Sequence, residues 1–231
     1  GYRCPDTING RITGSGVRAA ILDTGAYPHP DFKGRVIGFA DMQHGRCGLY
    51  DDSGHGTHVA GILAGNGKSG RGLYSGMAPE AQIFAVKVLN QRGGGKIRDV
   101  INGIRYVLLK QKEMKIRIVN ISIGTLPHKK DPEDELFLLW VDRLWDAGLV
   151  VVTAAGNKGP KEGSITIPGN SRKVITVGAD EEMGKKYSGC GPTGDCIKKP
   201  DLIVPGNRIY SCNYLYPVRS PYAYIPKSGT S

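Results

Sequence analysis

No stretch of this 231-residue chain approaches 18 uninterrupted apolar residues, the length a helix needs to cross a membrane, so no membrane span is expected. The N-terminus, Gly1-Tyr2-Arg3-Cys4-Pro5, lacks the basic and then apolar order of a secretory signal. Cysteine is sparse and odd in number. Cys4, Cys47, Cys190, Cys196 and Cys212 cannot all pair within one chain, and none form CxxC, which excludes a zinc ribbon and a thioredoxin motif. Unpaired thiols point to a reducing interior while a start at Gly1 points to processing, so localisation stays open. HExxH, the helical zinc-peptidase signature, is absent too. Glycine is plentiful (34, with 14 prolines), but it has no three-residue period and falls between apolar runs, which excludes collagen and low-complexity disorder.

The charge is lopsided, 31 Lys+Arg against 21 Asp+Glu for a net +10, and such a balance permits acidic partners. Its distribution argues against a dedicated nucleic-acid stripe. The basic residues come as scattered pairs, and the densest stretch, Lys110 to Arg117, has no aromatic to stack a base, so no nucleic acid partner is expected. With 39% hydrophobic residues the chain can bury a sizeable core, and residues 1–231 read as one domain with no internal repeat and no linker.

Val17 to Leu22 is a short β-branched run ending at Asp23-Thr24-Gly25, a buried strand that delivers an aspartate to its carboxyl end. Gln82 to Leu89, Ile118 to Ile123, Leu149 to Ala155 and Val174 to Ala179 are four more such runs, apolar enough to be covered on both faces. Helical patterns lie between them. Ile97, Val100, Ile101, Ile104, Val107 and Leu108 form one amphipathic stripe. Asp131-Pro132 followed by three acids opens a second helix that Gly148 ends, and Thr57 to Ala64 is a shorter one, crowded with small residues. Strands alternating with helices imply an α/β fold with a mostly parallel sheet. From about Glu181 the chain turns loop-rich, and its short apolar segments Leu202–Val204 and Arg208–Tyr210 read as an antiparallel periphery.

Ligands of open α/β sheets collect at the carboxyl ends of strands, which draws attention to Asp23, to His58 in Gly54-His55-Gly56-Thr57-His58, and to Ser231 in Gly229-Thr230-Ser231. An Asp, a His and a Ser in that order, each flanked by glycine, fit a nucleophilic triad. Taken alone, Asp23 reads as a strand-end turn residue. His55 and His58, three apart and near Asp51 and Asp52, can also be read as metal ligands, a third function class.

The chain resembles the subtilisin-like serine peptidases from about residue 15 to its end. The resemblance rests on Asp23-Thr24-Gly25, His55-Gly56-Thr57-His58-Val59-Ala60-Gly61 and Ser228-Gly229-Thr230-Ser231 in family order, with Asn120-Ile121-Ser122-Ile123-Gly124 and Ala154-Ala155-Gly156-Asn157 between them. It implies a subtilisin-like three-layer sandwich and a serine endopeptidase. Ser231 is then the nucleophile, His58 the general base, Asp23 its orienting carboxylate, Asn157 an oxyanion donor and His55 a structural neighbour. Gly93-Gly94-Gly95 and Ser122-Ile123-Gly124 would be the two edges flanking an extended peptide. Ile97 and Val100 would line a pocket for an apolar side chain four residues upstream of the cut. The primary pocket would lie between residues 122–124 and Ala154-Ala155-Gly156, with Thr166 at its base and Lys158 at its rim.

The same resemblance implies a polypeptide substrate, a propeptide inhibitor as partner and no cofactor for the chemistry. It also marks Asp31 as a structural calcium position, although the companion loop Asn66 to Ser75 carries no acid. Family members continue past the serine with a buried helix, so the chain is expected to lack the C-terminal part of its domain. A silent pseudopeptidase that binds peptides is the competing reading from another class.

Overall fold

The computed structural model describes residues 12–128, 131–180 and 186–231; Cys4 and the 129–130 and 185 lysines lie outside them. Strands β1 (Arg18–Asp23), β2 (Val36–Asp41), β3 (Gln82–Lys87), β4 (Ile118–Ile121), β5 (Val150–Ala154), β6 (Ile175–Asp180) and β7 (Leu202–Pro205) form one sheet in the order β2-β3-β1-β4-β5-β6-β7. All its pairings are parallel. Helices α1 (His55–Ala64), α2 (Ile97–Lys110) and α3 (Pro132–Asp146) supply the outer layers. Strands β8 (Ile209–Cys212) and β9 (Tyr224–Lys227) form a separate antiparallel hairpin.

The two-residue period of a strand sorts the core into two halves. Ala20 and Leu22 of β1 face one way, with Val86, Val119, Ile121 and Val151, and pack beneath Ile104 and Val107 of α2 and Phe137 and Val141 of α3. Ile21 faces the other way, with Ile83 and Ala85, against Val59, Ala60 and Ala64 of α1. Gly103 lets α2 approach the sheet, because a Cβ there would lie 2.6 Å from Val88 Cγ1. β1 sits between β3 and β4, where the strand order reverses, and this switch point puts Asp23 in the crevice favoured for ligands.

The α/β class and its mostly parallel sheet follow the sequence reading, but two strands do not. Leu202–Val204, expected in an antiparallel periphery, pairs in parallel with β6 as the seventh strand, and all its residues are exposed. β2 slips register against β3 between Val36 and Gly38 and fully buries only Ala40, so its half-buried run gives a weak strand signal. No helix among the described residues is long and apolar enough to cross a membrane.

The start of α3 is chemically specified: Asp131 accepts the Glu133 N–H at 2.9 Å and Pro132 occupies the first helical position. Asp131→Ala should lower the unfolding free energy by about 1 kcal/mol, seen as a fall in denaturant midpoint with an unchanged slope.

Candidate active site

Asp23 ends β1 fully buried, and its Oδ1 accepts the Thr24 N–H at 2.7 Å. Its imidazole partner is His55. Nδ1 of His55 lies 2.7 Å from Oδ1 and 2.9 Å from Oδ2, with the ring one-third exposed at the first residue of α1. A donor shared by both carboxylate oxygens fixes the tautomer: Nδ1 carries the proton and Nε2 presents its lone pair. Burial opposes the imidazolium, but the charge and hydrogen bond of Asp23 outweigh it and hold the His55 pKa above the ordinary imidazole value.

His58, expected in this role, is elsewhere. Its side chain is turned under the β8–β9 hairpin, where Nε2 donates to Ile209 O at 3.0 Å and Ile225 O at 3.1 Å. Burial, and then the Lys227 ammonium, push its pKa down to about 4, so it is a neutral donor near pH 7. Ser211 Oγ returns a bond to His58 O at 2.7 Å. Residues three apart share a helix face, but only the one at the helix start reaches back to the strand end. The two rings serve different partners and do not converge as metal ligands. The helix begins two residues earlier than its apolar pattern indicates, and that offset conceals His55.

Asp51, noted in the sequence only as a neighbour of a possible metal site, holds the pair in place as a hydrogen-bond acceptor. Oδ1 accepts Thr24 Oγ1 and the N–H groups of Ser53 and Gly54, and Oδ2 accepts both the N–H and the hydroxyl of Thr57. Burial disfavours this carboxylate, but the donors outweigh it and keep its pKa below the usual range. It therefore satisfies the start of α1, whose N-cap, Gly54, has no side chain to do so. Gly56 then lies against β1: a Cβ would fall 2.1 Å from Gly25 O. Behind the site the fully buried Lys87 donates to Thr24 O, Leu89 O and Asp52 Oδ1 at 2.7 to 2.8 Å.

Ser231 follows β9 by four residues and is exposed. Its neighbour Thr230 donates both N–H and hydroxyl to Asn157 Oδ1 at 3.1 Å, while the Gly156 N–H bonds Thr230 Oγ1. The Thr230 N–H requires an acceptor, so Oδ1 of Asn157 faces it and the Nδ2 donor is left without a partner among the described residues.

Of the expected substrate-binding residues, Gly93, Gly94 and Gly95 form an exposed turn closed by Asn90 N–H to Gly94 O at 2.7 Å. Gly95, Lys96, Ile97 and Arg98 line a cavity of about 460 Å³ with Thr125 and Glu133. Val100 does not line it; at 3% exposure it packs in the core beneath α2. The cavity thus has one apolar wall and a charged rim. Ser122, Ile123 and Gly124 lead directly to Thr125, which pairs with Ile167. Thr166 lies buried under both Gly124 and Gly156, where an added Cβ would come within 2.2 and 2.4 Å of its side chain, and its hydroxyl donates to Ala155 O. Ala154 and Ala155 are buried, and Lys158 is exposed beside Asn157.

Asp31 does not present a calcium site. Oδ1 accepts the Ser69 N–H at 2.9 Å and Oδ2 the Tyr224 hydroxyl at 2.7 Å, with the Cys212 thiol 4.0 Å away and His29 Nδ1 3.8 Å from Oδ1. Calcium needs six to eight oxygen ligands. The buried neighbours here are donors, a sulfur and a ring nitrogen, and they do not fit that ion.

A parallel sheet carrying an aspartate–histidine pair at its switch point and a serine-bearing loop beside an asparagine is the architecture of subtilisin-like proteins. The profile of the Subtilase family, Peptidase_S8, matches residues 14–231, and the chain belongs to that family. It is 44% identical over 230 residues to "Serine protease AprX" of Bacillus subtilis, covering 94% of this chain and 50% of that protein. It is 35% identical over 225 residues to "Thermostable alkaline protease" of Halalkalibacterium halodurans, covering 96% and 55%. The chain thus spans about half the length of each relative. The solved structure "S41 Psychrophilic Protease" superposes with a TM-score of 0.80 at 32% identity, over 94% of this chain and 73% of that one.

The burial of His58 has a thermodynamic signature. Between its folded pKa of about 4 and the ordinary value of 6.5, the unfolded chain binds a proton that the native ring refuses, so this residue makes stability rise with pH across that window. Melting curves from pH 4 to 7 should show a shallower slope for His58→Asn than for the parent.

Proposed function

We propose that this protein is a serine endopeptidase in which Asp23, His55 and Ser231 form the triad and Asn157 contributes to the oxyanion hole. The carrying observation is the His55 Nδ1 contact with both oxygens of Asp23, which leaves Nε2 as the proton acceptor. Ser231 Oγ attacks the peptide carbonyl carbon as Nε2 takes its proton, since a free hydroxyl is a weak nucleophile. The buried Asp23 carboxylate stabilises the imidazolium that forms. Charge developing on the carbonyl oxygen is met by Asn157 Nδ2 and the Ser231 N–H. Collapse of the adduct breaks the C–N bond, and the imidazolium hands its proton to the leaving amine. Water, deprotonated by Nε2, then attacks the acyl ester and releases the acid and Ser231.

An extended peptide would lie between Gly93–Gly95 and Ser122–Gly124. Gly95, Ile123 and Gly124 have no backbone hydrogen bonds to other described residues, which leaves their N–H and C=O groups for an added strand. The polypeptide substrate and the propeptide inhibitor belong to this proposal, and the chemistry needs no cofactor.

A fluorophosphonate should label Ser231 in the full-length protein, identified by peptide mapping. His55→Ala should abolish labelling and reduce peptide hydrolysis by at least about 10²–10⁴-fold. Asn157→Ala should retain the pair and lose about 10²–10³ in turnover, the cost known for an oxyanion donor in subtilisin. A folded protein that takes no label would instead support the peptide-binding pseudopeptidase.

Lys158, exposed beside Asn157, is proposed to favour tolerance of acidic residues just before the scissile bond. A peptide library should show Glu and Asp accepted there, and Lys158→Ala should lower that acceptance severalfold. Discrimination against acids by the parent would refute the assignment.

A further inference from the structure

Lys227 is a cation for which the mechanism has no use, placed where a helix does not favour one. It ends β9, half-buried, with Nζ donating to Gly54 O at 3.0 Å, the carbonyl of the residue before His55. A helix N-terminus carries partial positive charge, and burial adds a desolvation cost, so both terms oppose an ammonium here. Two anions face it, Asp23 and Asp51. Neither is uncommitted: Asp23 is bonded to His55, and Asp51 accepts five donors.

The groups that act on His55 come from four elements. Asp23 at the end of β1 and Asp51 in the preceding turn favour its protonated form, and Lys227 on β9 opposes it. His58, on α1 itself, is neutral. Lys227 is therefore the one cation in this set. We infer that Lys227 is a positioning residue that sets the acidic limit of catalysis: its ammonium, anchored on Gly54 O, disfavours imidazolium at His55 and keeps the base neutral at lower pH than the Asp23 pair alone allows. This rests on His55 being the base.

The alternative is a mechanical tether from β9 to the start of α1. Lys227→Gln keeps a donor for Gly54 O and removes the charge, Lys227→Met removes both, and Lys227→Arg restores the charge. The measurements are the pH dependence of kcat/KM of the full-length enzymes, and the His55 titration by NMR in the corresponding Ser231→Ala proteins. Lys227→Gln and Lys227→Met should both move the acid limb and the His55 titration upward by about 0.5–1 pH unit. Lys227→Arg should restore both, and the displacement should shrink in 1 M salt. If Lys227→Gln titrates like the parent, or Lys227→Arg like Lys227→Gln, the inference is overturned while the triad stands. If the NMR titration moves and the kinetic limb does not, the charge effect holds and His55 as the base is what fails.

Discussion

The buried Asp51 carboxylate is the joint on which the site depends. It draws the Thr24 hydroxyl at the end of β1, the turn at Ser53 and Gly54, and Thr57 in the first turn of α1 onto two oxygen atoms. A strand end and a helix start are both places where backbone groups lack partners, and one carboxylate here satisfies several of them at once. The position of His55 against Asp23 follows from that arrangement. Gly56 sets how closely the helix can approach, since any side chain there would strike Gly25 O.

The serine loop is held from two directions by unrelated means. On one side His58 bonds carbonyls of both hairpin strands while Ser211 bonds its backbone. On the other, Thr230 is fixed to Asn157 and Gly156 in the loop after β5. Neither clamp uses an ion pair, so neither relies on charges that salt would screen. The two histidines of one motif thus divide the labour: one remains at the solvent edge and near an anion, and the other is neutral and interior.

The sequence carried the architecture well because parallel strands covered on both faces leave unmistakable apolar runs, and the runs at 82, 118, 149 and 174 all appear as strands of the sheet. It carried the site less evenly. Asp23 and Ser231 stand out as candidates from their glycine-rich settings and Asn157 from the family resemblance, but which histidine faces Asp23 depends on where α1 begins. No periodicity marks that point, because the cap comes from Asp51 and not from the residue before the helix. Val100 has the spacing of a pocket residue and the burial of a core one, which apolarity alone does not separate. At Asp31 a family position is recognisable, but its occupants Tyr224 and Cys212 come from nearly 200 residues downstream, and such distant pairing is invisible to local pattern.

Cys212 shows what this packing does to reactivity. The thiolate, not the thiol, is the nucleophile in sulfur chemistry. Burial and the nearby Asp31 carboxylate push the Cys212 pKa far above the ordinary thiol value. Its sulfur, one residue from the serine hydroxyl that braces His58, is thereby insulated from alkylation and oxidation. Cys47 and Cys196 stand exposed on the surface. A mild oxidant would therefore be spent on peripheral sulfur before it disturbed the hairpin beneath the site, and the molecule keeps its most consequential thiol chemically silent.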